Sequence, residues 1–190
     1  DIAPDIKISM ENAGHILGSS SVYMHIGEGS HEHRLLFSGD IKYEKSWLFD
    51  AATVRFPKAD TLVIESTYGG PQDFQPNRVD ATHEIQDLVK LAVSRSGKIF
   101  CPVFAVGRSQ EVMLAIDQLF KSGDVTPITV WLDGMISEAT AIHASHPDYL
   151  NRDLRKQVLR GGEENPFNSP WFKQVDSREQ RESILNDPSP

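Results

Sequence analysis

The chain has a single cysteine, Cys101, so no disulfide can form within it, and the residue lies in an apolar run where it reads as core. Such cysteine usage suits a reducing, cytoplasmic setting. No apolar run approaches the length that crosses a bilayer and no signal peptide is visible, so no membrane partner is expected. Positive charge is in deficit: 19 Lys and Arg stand against 27 Asp and Glu, a net charge of −8. That balance argues against a broad nucleic-acid surface and leaves room for a local basic cleft. There is no internal repeat and no low-complexity tract, which removes solenoids and disordered linkers from consideration. What remains, with 39% hydrophobic and 24% charged residues among 190, is one ordinary domain or two small ones with a real core.

The pattern of apolar residues changes once along the chain. Residues 6–10 alternate as in a strand, residues 20–26 and 34–37 are two more, and the glycine-rich segment 27–33 suits a hairpin loop. The first third is therefore expected to be β-rich and antiparallel. Residues 61–64 are too short an apolar run for a helix and are expected as a buried strand. Beyond it the period becomes helical over residues 80–94, apolar over 98–106, helical again over 109–121 and apolar over 128–132. Strand, helix, strand, helix, strand with short connections predicts a Rossmann-like parallel sheet, so the fold class is α/β. Further helices are expected from about Glu138, Arg152 and Arg178, the last with Ser177 and Gln180 as a capping box. The chain opens on an alternating stretch already under way and stops on Asp187-Pro-Ser-Pro, a turn that normally leads onward. It is expected to be an internal piece of something longer.

Four places carry chemistry. His15 lies between glycines on a turn after a strand, where an imidazole can face a cleft and ligate metal; a core histidine is the plainer alternative. Asp40 ends the apolar strand Leu35-Leu-Phe-Ser-Gly-Asp40, and a carboxylate there can bridge two cations or serve only its turn. Glu65 ends the 61–64 strand, at the edge where open α/β sheets bind ligands, with a solvated strand end as the alternative. Gly107-Arg108-Ser109 opens a helix, so its N–H groups and the Arg108 guanidinium can receive a phosphate, or Arg108 can be a structural cap. His31-Glu-His33 has ligand-like spacing in a flexible loop and reads as solvated. His83, His143 and His146 read as surface or packing residues.

Read in order, these segments resemble the metallo-β-lactamase nucleases that carry a β-CASP domain. Ala13-Gly-His-Ile-Leu-Gly is similar to that family's third metal motif, Phe37-Ser-Gly-Asp40 to its fourth, and Glu65-Ser-Thr-Tyr-Gly to its β-CASP motif A. Pro102-Val-Phe-Ala-Val-Gly-Arg-Ser-Gln-Glu111 and Leu132-Asp-Gly-Met resemble the β-CASP core that follows. The stretch from Asp133 to His143 is most similar to archaeal-type homologues of the cleavage and polyadenylation specificity factor nuclease.

The resemblance implies a zinc-dependent ribonuclease of RNA 3′-end processing or decay, an endonuclease with some members also trimming from the 5′ end. The scissile phosphate would be held between two domains. Residues 1–64 would end the lactamase half and residues 65–190 would form an incomplete β-CASP domain. His15 would ligate one of two Zn2+ ions, Asp40 would bridge both, and Glu65 would hold a catalytic histidine supplied later in the chain. RNA is the implied partner, and a homodimer is left open. The family's His-x-His-x-Asp-His motif and its later histidines are absent here, so this piece alone is expected to be inactive, with absent or weak zinc. The alternative is a non-catalytic α/β module that binds nucleotide, RNA or a partner protein, with the apolar 167–172 patch as an interface.

Overall fold

The computed structural model describes residues 2–75 and 77–190. The chain divides into two compact units, Asp1–Phe74 with Tyr149–Arg152 and Gln75–Asp148 with Asp153–Pro190.

The first unit is built on strands β1 (Ile6–Asn12), β2 (Ser20–Ile26), β3 (His33–Phe37) and β4 (Thr61–Val63), paired in that order. β1, β2 and β3 are antiparallel, as expected from their alternation, and β4 joins β3 in parallel. The register aligns Ile8, Met24 and Leu35 across three strands, so the apolar alternation of each falls on one face. β4 departs from expectation: it is an exposed edge strand, with Leu62 54% and Val63 42% exposed. An apolar run buries itself only where a second layer covers it, and β4 has no neighbour beyond β3 among the described residues. Between β3 and β4 the chain runs without regular structure, yet it is pinned. Leu48 and Phe49 are buried, and Asn151 donates to Trp47 O at 2.6 Å and to Ser46 O at 3.2 Å.

The second unit holds α1 (Arg78–Ser94), α2 (Arg108–Ser122), β5 (Val130–Leu132), α3 (Ile136–Ser145), all but the first residue of α4 (Arg152–Arg160), β6 (Phe172–Gln174) and α5 (Arg178–Asn186). Its core joins Val89 of α1 to Ile116, Leu119 and Phe120 of α2, with Val130, Trp171 and Phe172 packed against them. Phe120 and Trp171 meet edge-on at 5.5 Å. The 167–172 segment is therefore core, not the exposed interface considered for a binding module: Phe167 is 7% exposed. Buried Asp117 fastens this segment, accepting from Ser169 Oγ at 2.5 Å and pairing with Lys121 at 2.9 Å.

β5 and β6 form a parallel pair, Val130 opposite Phe172, which is the parallel element of this unit. The 98–106 segment, expected as a strand and as the burial site of Cys101, is neither. It runs as coil and turn, Cys101 is exposed and Phe100 is 89% exposed. A strand exists through its ladder, and no described residue pairs with this segment, while Pro102 removes one donor from it. At α5 the Ser177 hydroxyl accepts from Gln180 N at 3.1 Å as expected, but Gln180 Oε1 reaches back to Asp176 N at 2.6 Å and not to Ser177 N. His143 is buried, and burial lowers its pKa below the ordinary imidazole value. Among the described residues no helix is long and apolar enough to cross a membrane.

Candidate functional site

Sheet topology sends three loops to one edge. Asn12 at the end of β1 pairs with Ser20 at the start of β2, Val22 pairs with Phe37 near the end of β3, and Phe37 pairs with Val63 at the end of β4. The β1–β2 turn with His15, the segment after β3 with Asp40 and the segment after β4 with Glu65 therefore leave the sheet together. An antiparallel hairpin and a parallel third connection are what bring residues far apart in sequence to the same side.

Hydrogen bonds fix each loop. The Asn12 side chain accepts from Gly14 N at 2.9 Å and donates to Ala51 O at 3.1 Å, and Ser19 Oγ accepts from His15 N at 3.1 Å. The His15 turn is zipped to the segment after Asp40 by Lys42 N donating to Ala13 O at 2.8 Å and Ala52 N donating to Lys42 O at 2.9 Å. Ala13 is wholly buried in that seam. Ser38 ties β3 to β4, its N–H donating to Val63 O at 2.9 Å and its hydroxyl accepting from Glu65 N at 3.1 Å.

Glu65 closes the set. Its Oε1 accepts from Ile41 N at 2.7 Å, so the carboxylate holds the residue next to Asp40. Hydrogen bonds from the Thr67 hydroxyl and then from the Ile41 N–H hold its pKa below the usual carboxylate range, burial opposes them, and the His15 charge adds to the lowering. Glu65 is thus an anion bonded to the residue after Asp40 and within electrostatic reach of His15, and the His15 and Asp40 side chains are both exposed.

His15 and Asp40 are the two members of this set that the family resemblance makes zinc ligands. A zinc site takes three or four protein ligands, and among the described residues no group of three or more His, Cys, Asp or Glu converges to hold a metal. The donors among the described residues do not by themselves fit a zinc centre. We expect the purified chain to lose added zinc on dialysis; stoichiometric retention that His15→Ala abolishes would show that other residues here complete a site. The His31-Glu-His33 pair makes no such site either. Glu32 takes up Arg34, and His33 Nε2 lies 3.0 Å from Thr61 Oγ1.

Arg108 lies in the other unit, as the first residue of α2. Gly107 precedes it at φ +82°, a conformation that favours glycine. The N–H groups expected to be open are engaged. Gly107 N donates to Gln110 Oε1 at 2.7 Å, Arg108 N to Val106 O at 3.1 Å and Ser109 N to Phe104 O at 3.3 Å. The Ser109 hydroxyl donates to Ala105 O at 2.7 Å, and Ser109 is 2% exposed. Gly107 and Ser109 therefore build the turn, and the Arg108 guanidinium is 60% exposed and paired with Glu111 at 2.9 Å. Sequence reasoning singled out this turn and missed Gln110, whose full burial has no local signature.

A model of the Beta-Casp domain matches residues 109–190. The whole chain is 51% identical to the transcription termination factor FttA of Methanosarcina mazei. It is 45% identical over 97% of its length to that of Lokiarchaeum sp., and 43% identical over its whole length to that of Thermococcus kodakarensis. It spans 29% of the length of each of these relatives. The chain is thus similar along its entire length to these factors, and its residues 109–190 belong to the Beta-Casp domain.

Proposed function

We propose that this chain is part of an RNA-cleaving β-CASP nuclease that acts in transcription termination, the role named in its relatives, with RNA 3′-end formation as the chemical outcome. The observation that supports it is that the loops bearing His15, Asp40 and Glu65 leave one sheet edge together, with Glu65 bonded to Ile41 beside Asp40. In this reading residues 1–64 close a lactamase half and residues 65–190 belong to the β-CASP part. His15 and Asp40 supply two ligands of a zinc set completed by other parts of the intact protein. Glu65 orients a catalytic histidine that also comes from elsewhere. Cleavage of labelled RNA by the intact protein is the direct test, and RNA bound but left whole would retire the nuclease reading.

Arg108 is the proposed phosphate contact, set in place by Gly107 and Ser109. A cation at the first turn of a helix sits at the wrong end of the helix dipole, which disfavours it by about 0.3–1 kcal/mol. An anion bound there removes that penalty. Loss of one charge-assisted contact in Arg108→Ala should weaken RNA binding by about 1.5–3 kcal/mol. Arg108→Lys should recover only part of it because the bidentate fork is lost. The slope of log K against log salt should fall by about 0.7 for single-stranded RNA. If binding across a salt series keeps its slope in Arg108→Ala while the melting temperature drops, Arg108 is a structural residue.

A further inference from the structure

Gln110 is fully buried at the start of α2, and every hydrogen of its amide is used. Its Oε1 accepts from Gly107 N at 2.7 Å, and its Nε2 donates to Ala105 O at 3.1 Å and to Thr140 Oγ1 at 2.9 Å. Thr140, itself buried in α3, donates its hydroxyl to Ile136 O at 2.7 Å. Burying a primary amide is unfavourable unless each polar atom finds a partner, so a position needing only volume is better filled by Leu or Met. Here the amide bonds to the chain on the N-terminal side of Arg108. Ala105 O receives a second donor, Ser109 Oγ, at 2.7 Å. The residues on both sides of Arg108 are held by one buried network that is anchored to a second helix.

Gly107 explains why such a network is needed. Its φ of +82° with ψ of −70° is a conformation that a free chain leaves readily. Without a partner for its N–H the turn has alternatives, and each of them aims Arg108 elsewhere. An arginine that must meet a phosphate with a planar fork tolerates little misplacement. We propose that Gln110 is a positioning residue for RNA binding: it locks the Ala105–Gly107 turn so that Arg108 presents its guanidinium to an RNA phosphate, with Thr140 as the anchor on α3. This rests on Arg108 being a phosphate contact.

The test is a double-mutant cycle in the intact protein, read as affinity for a fluorescein-labelled single-stranded RNA of mixed sequence across a salt series, with circular dichroism to confirm folding. Arg108→Ala should weaken binding about 10- to 100-fold, the equivalent of one charge-assisted contact. Gln110→Met keeps the length of the side chain and removes its polar end. It should weaken binding by at least about threefold, lower the salt slope, and cause no further loss in the Arg108→Ala background. Thr140→Val, which removes the anchor with little change in shape, should show the same coupling to Arg108 and carries the test if Gln110→Met fails to fold. A folded Gln110→Met or Thr140→Val protein with unchanged affinity and slope, or with losses that add to those of Arg108→Ala, would overturn the positioning role. If Arg108→Ala itself leaves affinity and slope unchanged, the phosphate contact fails first and the positioning role falls with it.

Discussion

Gly14→Ala should destabilise the first unit by about 3 kcal/mol or more, while Gly18→Ala, in the same turn, should destabilise it by only about 1–2 kcal/mol. Both glycines have positive φ, +69° and +82°, so both substitutions incur the left-handed penalty of an L side chain. Only Gly14 also lacks room. A Cβ there would lie 2.7 Å from Lys42 O, 2.8 Å from Ala52 N and 3.1 Å from Asp50 O, whereas at Gly18 nothing lies within 4 Å. Those neighbours are backbone atoms of the seam that joins the His15 turn to the segment after Asp40, and they cannot swing aside as a side chain can. The expected relaxation breaks the hydrogen bonds of Lys42 N to Ala13 O and Ala52 N to Lys42 O. Hydrogen exchange at the Lys42 and Ala52 amides, together with urea unfolding, measures both effects. Equal losses for the two variants would mean that the seam yields and that conformation alone governs the turn.

In the intact protein, Glu65→Gln should leave the fold in place and reduce RNA cleavage by about 10²–10⁴-fold, the range for loss of a group in acid–base catalysis. The glutamine Oε1 can still accept from Ile41 N, the bond now made at 2.7 Å, so the Asp40 turn keeps its support. What disappears is the charge. The donors that hold Glu65 ionised, led by the Thr67 hydroxyl and the Ile41 N–H, show that its environment is arranged around an anion. Glu65→Ala should do more, removing the acceptor as well and loosening the residues around Asp40. Melting temperature and cleavage rate measured on both variants separate the roles. A folded Glu65→Gln enzyme that cleaves RNA at the unaltered rate would confine Glu65 to supporting the turn.

Much of the local structure was legible because it is encoded within a few residues. The alternation of 20–26 yields β2 at Ser20–Ile26, and the helical spacing of 80–94 and 109–121 falls inside α1 and α2. Ser177 caps α5 because a hydroxyl at that position meets an unpaired N–H three residues on. Strand-end carboxylates at Asp40 and Glu65 and the glycine-flanked His15 could be picked out for the same reason: turn chemistry is local. Burial was less legible. The 98–106 and 167–172 segments are both apolar, yet Phe100 stands in solvent while Phe167 is buried and Phe172 packs against the cluster that holds Phe120. Apolar composition states that a segment gains from cover, and only the availability of a neighbouring layer determines whether it gets it.

By itself the sequence determined the types and places of the main elements, and the residues whose chemistry merits attention, since period, caps and glycine turns act over one or two turns of chain. The tertiary structure decided that the loops bearing His15, Asp40 and Glu65 leave the sheet on the same side. β1 and β2 lie antiparallel, β3 returns beside β2, and β4 comes back parallel to β3 across a long irregular connection, so three loop ends share an edge. It also decided that the amide of Gln110 braces the Arg108 turn through Thr140, thirty positions away. Register and partner choice are contacts between distant residues, and no window of sequence contains both sides of them.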